Sequence, residues 1–560
     1  MRTYQTADIT VPRDINLTEL LHTSADENNP LPPSHIIASD SLSHRSLTLG
    51  ELRDHAGRLA KGFTTKLHAT DGDRWALIVP NSVDLVELVH AVLWTGGTVC
   101  PINHALKVAD ISHGLAIAQP RYIVVYTETL SAVEEAITLA GQELASNNVS
   151  WSPPTVVTVV GKRVGSYMHI PNDLLADDAL PIPHYGDTSQ HIASIHLSSG
   201  TTGSPKGIQL THHNYIANCH QLRAHDSAQW HRHTRIVTFT PWVHIAMTTM
   251  PYFFGPWTGM HHHAMPSFDM ASYLSIVNSL RPTAFQGAPS IMQALVADPS
   301  LRHKFDFSAA EFLVGQGTGI TAEMRATYYA MANWQTSNLY GMTEAAPYVA
   351  FQKKGTQAAI GSVGPLLPGI RCALKRPGTS EDAPQGGPGE LWISGPNVAR
   401  RYVSITDAEG VNQRAFPMEG WYNTGDVCTI TAEGVLAVVG RTKELIKYKG
   451  FQVSPVELDG YLNRHPLVVD GAAGSLWDAQ QLTELPTGYV VLVDACKGNE
   501  AEALRQIQQD VDKLVTGYKK LRGGVWQVSE VPRNLTMKIL RPQLKTYATG
   551  VSSKEMKAKL

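Results

Sequence analysis

The fold is decided by the stretch Leu197–Gly207, which reads LSSGTTGSPKG. Its glycines let the backbone turn tightly, and its hydroxyl groups and the Lys206 ammonium are donors that suit phosphate oxygens. The apolar alternation over residues 192–197 predicts a strand that leads into it. A flexible surface loop has a similar composition, and the glycine-lysine-Ser/Thr order of a Walker A loop is absent. The stretch therefore favours a phosphate-binding loop of another type, with a flexible loop as the alternative.

The composition indicates a globular protein with more than one domain. The chain has 560 residues, 43% hydrophobic and 17% charged, so it can bury large cores. A net charge of −3 argues against a protein that binds nucleic acid or anionic membranes. No apolar run approaches the roughly 20 residues of a membrane-spanning helix. The first residues also lack the apolar core of a signal peptide.

The cysteines and histidines favour neither a disulfide framework nor a metal centre. The five cysteines are scattered without a CxxC pair, so we expect reduced thiols in an intracellular protein. The run His261–His263 could suggest a metal site, but adjacent side chains cannot all converge on one ion. No acidic or cysteine ligand is near in sequence, and we therefore predict a solvated loop at this run.

The last three residues suggest a cellular address. Ala558-Lys559-Leu560 is a variant of the Ser-Lys-Leu peroxisomal signal, and Lys554 and Lys557 just upstream are compatible with an exposed tail. We expect recognition by a peroxisomal import receptor, with a cytoplasmic location as the alternative.

Strand and helix patterns alternate along the first part of the chain. Leu47–Phe63 predicts a strand followed by a helix, Trp75–Pro80 a strand, and Val83–Leu93 an amphipathic helix. This alternation is typical of an α/β sandwich with parallel strands. Further on, Pro377–Pro388 predicts a surface turn before a strand at Glu390–Ser394.

A domain boundary is expected near residue 440. The turn-rich stretch 419–426 precedes it, and the residues after it show strand and helix patterns of their own. Ser454-Pro455-Val456-Glu457 has the form of a capping box with Pro at the first helical turn. The remaining 120 or so residues suffice for a small domain.

Several short elements carry residues suited to nucleotide chemistry. The pentapeptide Tyr340–Glu344 places an aromatic face, a hydroxyl and a carboxylate within one turn, which suits Mg²⁺ but is also typical of a helix start. Asp426 could accept two hydrogen bonds from a diol or be an ordinary turn aspartate. Arg441 opens a basic stretch that could be a solvated edge, and Lys538 could be a surface lysine. Each element is ambiguous alone, and the signal lies in their order.

Together these elements resemble the adenylate-forming superfamily of acyl- and aryl-CoA synthetases, luciferases and adenylation domains. The chain looks most like 4-coumarate:CoA ligase-like enzymes, from about Leu47 to Leu540. The motifs that carry the resemblance are SSGTTGSPKG (198–207), YGMTE (340–344), GSVGPLLPG (361–369), GELWISGPNV (389–398), GWYNTGD (420–426) and GRTKELIKYKGFQVSPVELD (440–459).

The resemblance implies an α/β fold in two domains. Residues 1–440 would form a large N-terminal domain, with α/β sandwich subdomains and a β-barrel-like subdomain, that binds ATP and the acyl group. Residues 441–560 would form a small mobile α+β lid with its hinge near Lys443.

The resemblance also implies an AMP-forming acid–thiol ligase that uses ATP, Mg²⁺ and CoA as co-substrate. In this family a carboxylate attacks the α-phosphorus of ATP, pyrophosphate leaves, and a thiol then displaces AMP. The expected partner is a small carboxylic acid, uncharged and aromatic or medium-chain. One alternative is transfer of the acyl group to an amine or another non-CoA acceptor. Another is a nucleotide-responsive binding protein that has lost catalysis.

The matched motifs imply roles for individual residues. The implied catalytic residues are Lys538, His244, Lys447, Thr343 and Glu344, with Glu344 also the Mg²⁺ ligand. The implied ATP- and AMP-binding residues are Ser199, Thr201, Thr202, Lys206, Gly315, Gln316, Gly317, Tyr340, Gly341, Met342, Thr343, Asp426, Arg441 and Gln452. The implied acyl-binding residues are His244, Ala246, Met247, Phe285, Gly287, Ala288, Gly317, Gly319, Ala346 and Tyr348. The implied CoA-binding residues are Lys447, Tyr448, Lys449 and Gly450.

The chain departs from the family pattern at a few positions. Met537 replaces the glycine that usually precedes the lysine, and Pro542 replaces an arginine common after it. Residues 314–319 differ from the usual SGGAP-like segment. Ala246 stands where plant 4-coumarate ligases carry a tyrosine, which argues against a hydroxycinnamate substrate.

Overall fold

The computed structural model describes residues 1–198, 206–286, 304, 306–315, 326, 329, 335–356, 362–405, 408–449, 451–533 and 539–553. Element labels follow chain order. A first eight-stranded sheet is parallel at its centre and antiparallel at one edge. Its strands, in spatial order, are β20 (Arg401–Val403), β10 (Lys206–Thr211), β9 (Ile192–Ser198), β5 (Thr98–Pro101), β4 (Arg74–Ile78), β6 (Tyr122–Tyr126), β7 (Thr155–Val159) and β8 (Met168–Ile170).

A second eight-stranded sheet has the same mixed character, with antiparallel pairs at both edges. Its strands, in spatial order, are β16 (Tyr348–Phe351), β15 (Gln335–Gly341), β14 (Phe312–Gly315), β13 (Ala284–Gln286), β11 (Arg235–Thr238), β12 (His261–Ala264), β2 (Ile36–Asp40) and β3 (Ser46–Thr48).

Helices connect the strands and cover both sheets. Among the described residues before 430, the α-helices and one π-helical turn are α1 (Leu17–Leu21), α2 (Leu49–Lys66), α3 (Val83–Trp94), α4 (Val108–Ala118), α5 (Leu130–Ser146), α6 (His212–His225), α7 (Ile245–Thr249), the π-helical turn (Met250–Phe254), α8 (Gly255–Thr258), α9 (Met270–Leu280) and α10 (Ala408–Ala415). The predicted strand and helix over Leu47–Phe63 are confirmed, and Thr48 and Glu51 form a capping box that starts α2.

Helix α3 differs from the prediction of an amphipathic helix, because every residue from Val83 to Trp94 is buried. The helix contacts β4 and β5 of the first sheet and β2 of the second, so no face is left to water. Its acidic groups are paired instead: Arg45 binds Asp84 at 2.8 Å and Glu87 at 3.1 Å. A helix that lies between two sheets is buried all round, whatever its sequence pattern.

The predicted solvated loop at His261–His263 is wrong. These residues form β12, a strand hydrogen-bonded between β11 and β2. Ser39 Oγ lies 2.7 Å from His261 Nε2 and 2.8 Å from His263 Nδ1, so a hydroxyl of the neighbouring strand contacts one nitrogen of each ring. Burial lowers the pKa of His261 to about 4 and also lowers the pKa of His263. The run is therefore a neutral, structural part of the sheet.

A third, antiparallel sheet corresponds to the predicted β-barrel-like subdomain. Its strands, in spatial order, are β1 (Tyr4–Gln5), β18 (Arg371–Lys375), β19 (Gly389–Ser394), β21 (Tyr422–Ile430), β22 (Val435–Arg441) and β17 (Ser362–Pro365). The predicted turn at Pro377–Pro388 joins β18 to β19, which confirms that prediction.

The last part of the described chain forms an α+β unit with a separate hydrophobic core. It contains β23 (Ile446–Tyr448), β24 (Phe451–Val453), α11 (Pro455–Leu462), β25 (Val468–Asp478), β26 (Thr483–Leu492), α12 (Glu500–Leu514), β27 (Val525–Val528) and β28 (Ala548–Ser552). The main core of the first part ends at Leu436, and that of this unit begins at Ile446. The large and small domains expected from the sequence are thus present, while the 440/441 boundary stays a prediction.

Two further expectations concern the chain as a whole. All five cysteines are buried and free of disulfides, as expected of reduced thiols. In the part of the chain that the structure describes, no helix is long and apolar enough to cross a membrane.

Candidate active site

The end of β15 and the β21–β22 hairpin bring Tyr340, Asp426 and Arg441 together. Asp426 lies opposite Arg441 in the ladder, and Arg441 Nε contacts Asp426 Oδ1 at 2.9 Å. Tyr340 Oη donates to Asp426 Oδ2 at 2.5 Å. Burial raises the pKa of Tyr340 well above its ordinary value, and the Asp426 charge raises it further. Asp426, held between the Tyr340 hydroxyl and the Arg441 guanidinium, suits a nucleoside site, in which it would accept hydrogen bonds from ribose hydroxyls.

Glu344 is a second buried carboxylate, 8% exposed. It accepts a hydrogen bond from Tyr402 Oη at 2.5 Å, and Tyr402 Oη lies 3.1 Å from Tyr422 Oη. Burial raises the pKa of Glu344, although hydrogen bonds from both tyrosines oppose the rise. Lys206 Nζ lies 5.8 Å from the Tyr402 ring, so the lysine of the predicted phosphate loop and Glu344 share one neighbour. No cationic side chain among the described residues forms an ion pair with Glu344.

The turn that carries Thr343 and Glu344 is fixed by contacts on both sides. Gly341 has no room for a side chain, because a Cβ there would lie 2.3 Å from the Pro347 carbonyl oxygen. The Met342 N–H donates to that oxygen at 2.9 Å. The Ala399 N–H, one residue after the GELWISGPNV motif, donates to the Glu344 carbonyl at 2.8 Å. Two segments that stand far apart in sequence therefore fix the backbone that carries Glu344.

Four of the predicted acyl-binding residues lie together beside this turn. Tyr348 Oη donates to the Ala246 carbonyl at 2.7 Å, and Thr249 Oγ1 donates to the Ala346 carbonyl at 2.9 Å. The next residue of α7, Met247, accepts a hydrogen bond from Gln286 Nε2 at 3.1 Å. Tyr348, Ala346 and Met247 are all buried. The contacts join α7 to the start of β16 in a mainly apolar region.

His244 precedes this region as the N-cap of α7. Its Nδ1 accepts from the Ala246 N–H at 3.4 Å, and burial lowers the pKa of the ring. Phe285 packs with Val237, Met265 and Tyr273 in a separate cluster. The next residue of β13, Gln286, supplies the side chain that contacts Met247. Gln286 was not among the predicted acyl-binding residues.

Three of the predicted CoA-binding residues, Lys447, Tyr448 and Lys449, lie in the hairpin of β23 and β24. The Lys447 N–H donates to Glu484 Oε2 at 2.7 Å, and the Lys449 N–H donates to Thr483 Oγ1 at 2.8 Å. Lys449 has a φ of 46°, a left-handed turn conformation. The Tyr448 ring has Lys449 Nζ at 5.6 Å and the Arg522 guanidinium at 5.3 Å. The hairpin presents cationic and aromatic groups suited to an anionic substrate.

The described part of the chain contains no group of three or more His, Cys, Asp or Glu residues able to hold a metal by themselves. Mg²⁺ needs few protein ligands where phosphates and water complete its shell. A buried carboxylate with a raised pKa and no ion pair in the described residues fits such a role, because a cation would offset its desolvation.

Residues 27–403 match the model of the family described as "AMP-binding enzyme". The chain belongs to this family. The match confirms the resemblance to adenylate-forming enzymes and the predicted enzyme class, an AMP-forming ligase.

A curated relative supports the membership of this AMP-binding enzyme, and two solved structures share its fold. "Probable 4-coumarate--CoA ligase 1" of Dictyostelium discoideum is 27% identical over 92% of this chain and 93% of its own length. ATP-bound MatB from Rhodopseudomonas palustris superposes with a TM-score of 0.80 at 22% identity, over 95% of this chain and 99% of that one. The anthranilate CoA ligase AuaEII, in complex with anthranoyl-AMP, also gives a TM-score of 0.80, at 21% identity over 96% and 98% of the chains.

Tyr402, Tyr422 and Gln286 are residues of the AMP-binding enzyme's site that the sequence did not predict. Tyr422 lies within the GWYNTGD motif, so the motif could have indicated that this tyrosine belongs to the site. Tyr402 reaches Glu344 only because β20 pairs with β10, a contact that no local pattern indicates.

Other predictions fall on residues outside those described. They comprise Ser199, Thr201, Thr202, Gly287, Ala288, Gln316, Gly317, Gly319, Gly450, Met537, Lys538 and the Ala558–Leu560 tail. Gly315 is described as the end of β14, and Gln452 as the backbone partner of Lys447 in β24. The roles assigned to these residues, and the peroxisomal address, stay predictions.

Proposed function

We propose that this AMP-binding enzyme activates an uncharged aromatic or medium-chain carboxylic acid as an acyl-adenylate and transfers the acyl group to CoA. The observation that carries the proposal is the contact of Tyr340 and Arg441 with Asp426. The buried Glu344 follows Tyr340 in the same YGMTE motif. This arrangement offers a nucleoside site and a phosphate site side by side. The named similarity to 4-coumarate--CoA ligases supports CoA as the acceptor.

Adenylation places charge on the phosphates of ATP, and the residues at the site are suited to offset it. Lys206 lies on the phosphate side, close to Tyr402, while Asp426 would accept hydrogen bonds from the ribose hydroxyls. Mg²⁺ held by Glu344 would stabilise the developing phosphate charge when bound. Lys538 is proposed to bridge the attacking carboxylate and the α-phosphate. Positioned charges of this kind accelerate an in-line displacement without a covalent enzyme intermediate.

The acid would enter beside α7 and β16. Met247, Ala346 and Tyr348 are buried there, and the Tyr348 hydroxyl is already bonded to the Ala246 carbonyl. None of the acyl-side residues described above is a lysine or arginine, which supports an uncharged tail. Burial keeps His244 neutral near pH 7, so it would not repel or attract the acid by charge.

Thioester formation would use the β23–β24 hairpin. Rotation near Lys443 would withdraw Lys538 and bring Lys447–Gly450 towards the adenylate. The cations around Tyr448 would then face the phosphates of CoA.

The experiment is a pyrophosphate-release screen over aryl, fatty and oxylipin-like acids, with and without CoA. We expect release that needs both acid and ATP, and faster turnover with acyl-CoA as product when CoA is added. Acyl-AMP that forms but is not consumed by CoA would favour the alternative, transfer to an amine or another acceptor. Absence of adenylate with every acid would overturn the proposal, and a K538A variant with unchanged adenylation would remove this lysine from it.

A further inference from the structure

Tyr402 contacts two groups of the candidate phosphate site that come from different parts of the chain. Its hydroxyl donates to Glu344 Oε1 at 2.5 Å, and the centroid of its ring lies 5.8 Å from Lys206 Nζ. Tyr402 is buried, at 6% exposed. A hydrogen bond to a carboxylate is stronger than one between neutral groups, and an ammonium is attracted to the face of an aromatic ring. One residue therefore contacts both the carboxylate and the lysine that the proposed reaction uses.

The backbone of Tyr402 is held by two elements. Strand β20 pairs with β10, and Tyr402 lies opposite Ile208, two residues after Lys206. From α10, Asn412 Oδ1 accepts from the Tyr402 N–H at 2.7 Å, and Asn412 Nδ2 donates to the Tyr402 carbonyl at 3.0 Å. A single amide side chain thus satisfies both backbone polar groups of Tyr402. The strand register sets the separation along the sheet between Tyr402 and Lys206.

The side chain of Tyr402 is fixed as well. The centroid of the Phe416 ring lies 5.8 Å from that of Tyr402 and 5.3 Å from that of Tyr422. The Tyr402 hydroxyl also lies 3.1 Å from Tyr422 Oη. Since a glutamate side chain has several rotatable bonds, a donor that is itself fixed limits the directions its carboxylate can take. Tyr402 supplies such a donor to Glu344.

We propose that Tyr402 is a positioning residue, which sets the direction of the Glu344 carboxylate and keeps it at a fixed place relative to Lys206. The proposal rests on the proposed function, in which Glu344 holds Mg²⁺ and Lys206 lies on the phosphate side. Mg²⁺ demands near-ideal octahedral geometry, so a ligand held in one direction binds it better than a ligand that must first be ordered. Tyr402 thereby couples the start of β10 to the turn that carries Glu344.

The variant Y402F removes the hydroxyl and keeps the ring. We expect it to raise the Kd of Mn²⁺ about tenfold, measured by electron paramagnetic resonance in the presence of α,β-methylene-ATP. Mn²⁺ is the paramagnetic probe for the Mg²⁺ position, and the methylene bridge prevents the release of pyrophosphate, so this measurement needs no turnover. The Mg²⁺ concentration for half-maximal pyrophosphate exchange with ATP should rise by a similar factor, while the KM for the acid changes little.

The matched control is Y122F. Tyr122 Oη, also buried, donates to the Leu67 carbonyl at 2.8 Å, and its strand β6 is in the same sheet as β20 but not next to it. Y122F should lower the melting temperature through the loss of a buried hydrogen bond and leave the Kd of Mn²⁺ unchanged. A Kd in Y402F equal to that of wild type, or an equal rise in Y122F, would overturn the positioning role.

A double-mutant cycle with E344Q tests whether Tyr402 acts through Glu344. We expect Y402F to add little to the rise in the Kd of Mn²⁺ already caused by E344Q. Effects of the two substitutions that add fully would overturn the role, because Tyr402 would then act on the cation by another route. Wild-type protein that binds Mn²⁺ with α,β-methylene-ATP but forms no adenylate with any acid would instead refute the proposed function.

Discussion

Glu344 and Asp426 are buried carboxylates in opposite electrostatic environments. Asp426 has Arg441 at 2.9 Å, whereas burial raises the pKa of Glu344 above its ordinary 4.5. In the free protein the folded state then binds the Glu344 proton more tightly than the unfolded state. Stability from this group is therefore lost as pH rises from 4.5 through its raised folded pKa.

The substitution E344Q removes the negative charge of the buried Glu344 carboxylate. Without nucleotide and with a chelator present, we expect its melting temperature to exceed that of wild type at pH 7 and to approach it near pH 4. Adenylation should fall by about 100-fold, because the proposed Mg²⁺ ligand is lost. Pyrophosphate exchange and thermal denaturation measure the two effects. D426N is the contrast, since it removes the negative charge opposite Arg441 and should lower the melting temperature. An E344Q variant that is less stable than wild type at pH 7 would contradict the effect expected of the buried charge.

At the scale of elements, the turn between β15 and β16 depends on one glycine. A Cβ at Gly341 would lie 2.3 Å from a backbone oxygen that cannot move without the turn. We expect G341A to lower the free energy of unfolding by about 1–3 kcal/mol and to reduce adenylation by displacing Glu344. Chemical denaturation and pyrophosphate exchange measure these changes.

The matched control for G341A is G141A, in helix α5. A Cβ at Gly141 meets nothing within 4 Å, so alanine should stabilise the helix by about 0.5–1 kcal/mol. Equal effects of the two substitutions would show that the Pro347 contact does not constrain the turn.

The sequence predicts a helix correctly where the spacing of apolar residues along the chain determines it, as in α2. The burial of α3 was not, because the partners of its acidic residues, Arg45 and His55, come from other elements. The His261–His263 strand was missed for the same reason, since the rings of His261 and His263 contact Ser39 of β2. Motif order indicated the nucleotide site, but the tyrosine contacts of Glu344 depend on pairings that only the fold supplies.

At the scale of the whole molecule, the site lies where the three sheets meet. Tyr340 comes from the second sheet, Asp426 from the third, and Tyr402 from the edge of the first. The segment that follows Arg441 leads directly into the small domain. Ion pairs between this segment and the small domain should therefore contribute more to the stability of the small domain than exposed ion pairs on its surface.

Arg541 makes such a contact. It bonds to Asp459 of α11 at 2.6 Å and to Glu444 at 3.3 Å, and it is largely buried. We expect R541A to destabilise the small domain by about 3–5 kcal/mol, because two largely buried carboxylates lose the guanidinium that offsets their charge. R505A is the control, since Arg505 forms an exposed pair with Glu502 at 2.6 Å that should contribute at most about 1 kcal/mol.

Hydrogen exchange measures the effect of R541A on each domain. Amide exchange should become faster in the small domain after R541A, with the large domain unchanged. Equal effects of the two variants, or faster exchange throughout the chain, would mean that Arg541 does not hold the small domain to the connecting segment.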